Sequence, residues 1–239
     1  MKFLPFFILT GMLLSVLPRL SLAEDAPKTG TLVMSLNIYG YATMPQAAGD
    51  YARLANGRGV DVLLIQEGVQ DWHLDHDLPT DYERAGELHK ALGECWERSF
   101  QVFVNRCSGY SLHDHRRFDL ADGPNATRTG ETGVVHGPEG RFLVINLHWD
   151  HESEEAREAS VAQTANAATT DLPVVAAGDF NTQCSGEQVS KLAEQAALQL
   201  AVDGGIDCLL VRGLRADGEA VSAAPSDHPA VLARIMHLP

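Results

Sequence analysis

Apolar and polar positions along the chain follow two periods, and the periods mark out the elements. Leu32 to Ile38 and Val60 to Ile65 are short runs of mostly apolar residues, which predict strands. Phe100 to Val104, Val134 to His136, Phe142 to Leu147 and Val174 to Ala177 repeat that signal, and Ile206 to Val211 and Ala230 to Met236 add two more. Helical patterns lie between the strands, at Gln46 to Ala55 and Asp81 to Leu92. Glu152 to Thr169 is alanine-rich and acidic at its start, as suits a helix N-terminus. Ser185 followed by Gln188 reads as a capping box opening a helix to about Leu198. Residues 113 to 130 are polar and contain glycine and proline, so they predict a long surface loop. Strands interleaved with helices imply an α/β or α+β sandwich, and the lack of repeats or low-complexity linkers implies one domain.

The first 23 residues stand apart. Lys2 precedes an apolar run from Phe3 to Leu17, and Ser21-Leu22-Ala23 has the small-x-small form of a cleavage site. This predicts a secretory signal over residues 1–23, too short for a comfortable membrane span, followed by a single domain over 24–239. No later stretch approaches membrane-spanning length. The expectation is therefore a secreted or periplasmic, monomeric protein.

Charge narrows the possible partners. The chain carries 18 basic and 32 acidic residues, a net charge of −14, and losing Lys2 and Arg19 with the signal deepens it. Such a field repels nucleic acid and anionic membranes at long range, so a polyanionic substrate requires a bound cation or a local basic surface. Between residues 98 and 141 six arginines (98, 106, 116, 117, 128 and 141) offset five acids, and His113 and His115 can add charge at mild acidity. Four cysteines without a CxxC spacing favour disulfides over a zinc site in an exported chain. Of three connectivities, 95–107 and 184–208 are favoured, because each closes a short segment between neighbouring strands. Asn125-Ala126-Thr127 is a glycosylation sequon, meaningful only in a eukaryotic source.

The polar residues that carry chemistry fall where strands end: Asn37, Gln66-Glu67, Asn146 to His151, Gly178-Asp179-Phe180-Asn181, Ile206-Asp207 and Ser226-Asp227-His228. A carboxylate closing a strand is usually a turn or cap, so each alone says little. A charge directly after a run such as Val60 to Ile65, however, is costly to bury without a partner or metal. Their order along the chain resembles the endonuclease/exonuclease/phosphatase superfamily, which includes deoxyribonuclease I, exonuclease III and the neutral sphingomyelinases. The resemblance spans Asn37 to His228 and rests on the QE, NLH, GDFN, ID and SDH segments.

That resemblance implies a four-layer αββα sandwich, with two mixed sheets face to face, helices outside and the site at one edge of the paired sheets. It implies Asn37, Glu67 and Asp227 toward a metal, Mg²⁺ or Mn²⁺, a hard cation suited to oxygen ligands. It implies His228 as general base with Asp207 behind it, and Asp179 and Asn181 positioning the water and a phosphate oxygen. His148 is similar to a second histidine that donates to the phosphate or leaving oxygen. Cys184 stands three residues after Asn181, as a disulfide cysteine does in deoxyribonuclease I, although its partner there precedes the ID-type aspartate and Cys208 follows it.

For the arginine that several nucleases set beside the phosphate, Arg128 is offered; Asp150 is expected to pair with Arg157, lie near the metal, or cap a helix start. No GxSxG segment supports a serine hydrolase and no GNH a calcineurin-like phosphatase. The activity expected is phosphodiester hydrolysis, most of all of DNA. Alternatives are a sphingomyelinase-like lipid phosphodiesterase, for which no cluster of aromatic residues follows the signal, and a small-molecule phosphatase. A third, of another class, is an inactive binding module or toxin subunit.

Overall fold

A computed structural model describes residues 29–38, 46–68, 84–124 and 127–238. The expected signal peptide, Asn125 of the sequon and the first turn of the Asp81–Leu92 helix lie outside the described residues. One six-stranded sheet holds β1 (Thr31–Asn37), β2 (Val62–Gln66), β3 (Trp96–Ser99), β4 (Val102–Asn105), β11 (Leu214–Ser222) and β12 (Pro229–His237), ordered β11-β12-β1-β2-β4-β3. The second holds β5 (Ser111–Asp119), β6 (Thr129–Gly137), β7 (Gly140–His148), β8 (Val174–Asp179), β9 (Gln199–Gly204) and β10 (Asp207–Arg212), ordered β5-β6-β7-β8-β10-β9. Both are mixed: β1 runs parallel to β2, and β7 to β8, while the other pairs are antiparallel.

Side-chain alternation sorts the strand residues into layers. On β1, Val33 meets the other sheet while Leu32, Met34 and Leu36 pack outward against α1 (Gln46–Arg58) and α2 (Arg84–Leu92). On the second sheet Phe142, Val144, Val175 and Ala177 point inward. Leu143, Ile145, Val174 and Ala176 pack outward against α3 (Glu154–Ala167) and α4 (Glu187–Gln195). Two helices on each outer face complete the four-layer sandwich.

β9 and β11 have no counterpart among the expected strands, and four other elements depart from the expected pattern. The Phe100–Val104 run is a hairpin, β3 and β4, with Phe100 and Gln101 at its tip because Ser99 pairs with Val102. Half of the loop expected over 113–130 is strand, in β5 and the start of β6, while residues 120–124 and 127–128 lie outside any strand. As the edge strand of its sheet β5 has one unpaired flank and little burial, so polar residues are tolerated and the apolar signal is weak. The capping box does not form: α4 begins after Gly186 with no side-chain cap, and Gln188 bonds Thr182 instead. α3 is capped by Ser153, whose Oγ accepts from the Ala156 amide at 3.1 Å.

Both favoured disulfides are present. Cys95–Cys107 bridges the turn before β3 to the turn after β4, and Cys184–Cys208 ties the loop after β8 to β10.

Candidate active site

At one end of the sandwich the inward face turns polar on five strands at once. Ser35 and Asn37 follow Val33 on β1, and Gln66 follows Val62 and Leu64 on β2. Asn146 and His148 follow Phe142 and Val144 on β7, Asp179 follows Val175 and Ala177 on β8, and Asp207 precedes Leu209 and Val211 on β10. Register aligns them, with Asn37 opposite Gln66 and Asp179 between His148 and Asp207. The two sheets are joined at this end by side-chain amides: Gln66 Nε2 donates to Asn146 Oδ1 at 2.7 Å, and Asn146 Nδ2 donates to the Ile65 carbonyl at 2.8 Å.

Asp179 is the hub. Its carboxylate accepts from Asn37 Nδ2 at 3.1 Å and from the Asn181 amide at 2.8 Å. Its Oδ2 lies 3.6 Å from His148 Nε2 and 3.9 Å from His228 Nδ1. Burial raises the Asp179 pKa, the neighbouring Asp207 raises it further, and His228, Asn181 and Asn37 only partly offset them, leaving it at about 7. Asp207 Oδ2 receives His228 Nδ1 at 2.9 Å, and burial holds the Asp207 carboxyl above its ordinary range. Burial disfavours charge on His228, but the Asp207 bond and the charges of Asp179, Asp207 and Asp227 outweigh it, pushing its pKa up to about 9. The His228 backbone is tied to β1 as well: its amide donates to Ser226 Oγ, which donates to the Asn37 carbonyl at 2.7 Å.

Glu67 stands at the lip, where Asn37 Nδ2 also donates to its Oε1 at 3.1 Å. Its backbone is left-handed, with φ 61, a costly conformation for glutamate. Gln101 holds the turn. Its carbonyl accepts the Ile65 amide at 3.0 Å and its Oε1 accepts the Gly68 amide at 2.6 Å, so it clips both sides of Gln66-Glu67. Buried Glu131 orients Gln101 in turn, accepting its backbone amide at 3.1 Å and its Nε2 at 3.2 Å. Gln101 and Glu131 were not among the expected site residues. Neither carried a sequence signal, since the expected strand began at Val134 and Glu131 enters β6 only in the structure.

The remaining expected residues surround this cluster at different depths. Asp227 is 63 % exposed and reaches only to 3.9 Å from His228 Nε2, outside the buried cluster. The Asn181 Nδ2 donates to the Trp149 carbonyl at 2.9 Å, tying the Gly178–Asn181 segment to the end of β7. Arg128 is buried beneath His148 at 2 % exposure rather than set open beside the cluster. Its Nη1 lies 3.0 Å from His148 Nε2, its Nη2 2.9 Å from His151 Nδ1, and its Nε 3.6 Å from Asp150 Oδ2. Burial, then Arg128, His228 and His151, hold the His148 pKa well below the usual histidine value, so its ring is neutral. The Asp150 carboxylate caps the chain before α3, accepting the Glu152 and Ser153 amides, and Arg157 Nη1 donates to the Asp150 carbonyl at 2.8 Å.

The donor set suits a hard cation. Asp179, Asp207 and His228 bring one donor atom each within 4.8 Å of one another, with Asn37 and Glu67 adjoining. Asp207 Oδ1 is buried without a hydrogen-bond partner among the described residues, leaving acceptor capacity that a cation would satisfy.

Two mixed sheets face to face, with carboxylates, amides and two histidines at one edge, give the architecture of the endonuclease/exonuclease/phosphatase fold. The chain belongs to the endonuclease/exonuclease/phosphatase family, which it matches over residues 34–228. Its fold is similar to an endonuclease/exonuclease/phosphatase from Bacteroides vulgatus, with TM-score 0.70 and 17% identity over 88% of this chain and 100% of that one. It is also similar to the Bacteroides thetaiotaomicron mannosyl-6-phosphatase, with TM-score 0.68 and 17% identity over 86% and 99%. Similarity to the human Nocturnin catalytic domain, solved with bound sulfate, gives TM-score 0.62 and 14% identity over 87% and 95%. No curated protein matches the chain in sequence. Among the described residues no helix is long and apolar enough to cross a membrane.

Proposed function

We propose that the protein is an exported, Mg²⁺- or Mn²⁺-dependent phosphodiesterase acting on DNA. The observation that carries the reading is the His228–Asp207 pair, joined through Asp179 to the Asn37–Glu67 lip. Glu67 and Asn37 would hold the cation, with Asp227 supporting from the surface. When bound, a divalent cation polarises a phosphoryl oxygen, offsets developing negative charge and lowers the proton affinity of Asp179 and His228 beside it.

His228 takes a proton from the attacking water at Nε2, while Asp207 keeps Nδ1 protonated and stabilises the imidazolium that forms. Asp179 and Asn181 position that water and a phosphate oxygen. Neutral His148, with the Arg128 guanidinium 3.0–3.1 Å from its two ring nitrogens, carries one N–H that would donate toward the phosphate or leaving oxygen. The choice of DNA rests on the basic residues carried by β5 and its neighbours, a local exception in an acidic chain.

Purified protein is expected to cleave DNA with Mg²⁺, to stop on chelation, and to lose about 10²–10⁴-fold in kcat in His228→Ala. Full activity of His228→Ala on every substrate would refute the mechanism. Hydrolysis of sphingomyelin or of phosphomonoesters, the class suggested by the mannosyl-6-phosphatase likeness, with DNA and RNA spared would refute the choice of substrate alone.

A further inference from the structure

The β3–β4 hairpin turns through Phe100 and Gln101, and Phe100 has φ 54. A two-residue hairpin turn ordinarily places glycine or asparagine in that left-handed conformation. A phenylalanine there is strained, and strain of this kind marks residues kept for something other than the turn. Its ring meets two side chains of β5. The Arg117 guanidinium carbon lies 4.1 Å from the ring centroid, and the His115 ring is within 18° of parallel at 6.4 Å between centroids.

Each member is braced. Arg117 Nη2 donates to Thr129 Oγ1 at 2.9 Å, fixing the guanidinium plane, and His115 Nε2 lies 3.1 Å from Glu131 Oε2. That same carboxylate orients Gln101, the residue after Phe100, against Gly68, so the three flat groups are linked to the turn that carries Glu67. Arg116 and Arg117 are exposed on an edge strand carrying two arginines and two histidines against two aspartates, in a chain of net charge −14.

We infer that Phe100, His115 and Arg117 form a stacking platform for an unpaired nucleotide flanking the scissile phosphate of a nucleic-acid strand, an inference that rests on the DNA reading above. Bases stack on aromatic and guanidinium planes regardless of sequence, and the arginine charge also meets a phosphate. The turn favours glycine and the platform needs a ring, which accounts for a bulky side chain at φ 54.

The test compares Phe100→Gly and Arg117→Gln with wild type in Mg²⁺, on a single-stranded 12-nucleotide DNA and on methyl 4-nitrophenyl phosphate, a small diester with no nucleotide chain to lay across the platform. The expected result is a roughly tenfold loss of kcat/KM on the oligonucleotide, carried by KM and not shared by the small diester. The thermal midpoint of Phe100→Gly should hold or rise, because glycine suits the turn; Phe100→Asn serves as a second variant at the same backbone angle. Unchanged oligonucleotide KM, or equal losses on both substrates, would overturn the platform. A wild type that turns over the small diester but no oligonucleotide would instead overturn the DNA reading.

Discussion

A Cβ built on Gly178 would sit 1.9 Å from the Leu147 carbonyl oxygen, because β8 presses against β7 where Asp179 enters the cluster. The glycine is a condition of the site's geometry. Gly178→Ala is expected to push the strands apart, costing roughly 1–3 kcal/mol in chemical denaturation, and to displace Asp179 from Asn37. The neighbouring Asp207 acts through charge. Asp207→Asn removes the hydrogen-bonding carboxylate that raises the His228 pKa most, so the His228 titration, followed by NMR in metal-free protein, should move down from about 9. A titration left in place would mean that Asp179, rather than Asp207, governs the base. Sequence made Asp179, Asp207 and His228 legible as a motif, since each closes or opens an apolar strand. It did not reveal Arg128 beneath His148, because a buried arginine among histidines is a product of packing between β6 and β7.

Elements with both faces buried were the legible ones. β1, β2, β7 and β8 carry continuous apolar runs because helices cover one side and the opposite sheet the other. β5 escaped notice because an edge strand needs no such run, and its His113 to Arg117 stretch reads as loop. The β3–β4 turn was equally hidden, since phenylalanine is not a turn residue and only the pairing of Ser99 with Val102 exposes it. That turn has a consequence for the site through Gln101. Gln101→Leu removes the acceptor for the Gly68 amide and frees Glu67 from its left-handed backbone. Mn²⁺ binding, followed by calorimetry, should weaken about tenfold, the usual effect of losing a group that orients a metal ligand. Unaltered Mn²⁺ affinity would show that β2 alone holds Glu67.

For the whole molecule, the buried cluster couples folding, protons and cation. Asp179 has a native pKa of about 7 against an ordinary value of 3.8, so the fold binds its proton more tightly than the unfolded chain. Its stabilising contribution is complete below about pH 4 and is lost as pH rises through about 7. His228, raised from 6.5 to about 9, has the same sign: its contribution is complete below about pH 6.5 and is lost as pH rises through about 9. Both effects stem from negative charge crowded into a buried edge, and a divalent cation would relieve both. In EDTA the thermal midpoint is therefore expected to fall as pH climbs from about 4 to about 9, with Asp179 and His228 contributing in successive windows. Adding Mg²⁺ or Mn²⁺ should restore the midpoint most at the alkaline end, where no proton competes, and least near pH 5. Binding near pH 7 should also release protons, read as a dependence of the calorimetric heat on buffer ionisation enthalpy. A midpoint insensitive to cation at every pH would mean that the carboxylates at this edge hold no metal, and the phosphoester chemistry would then fall to the His228–Asp207 pair alone.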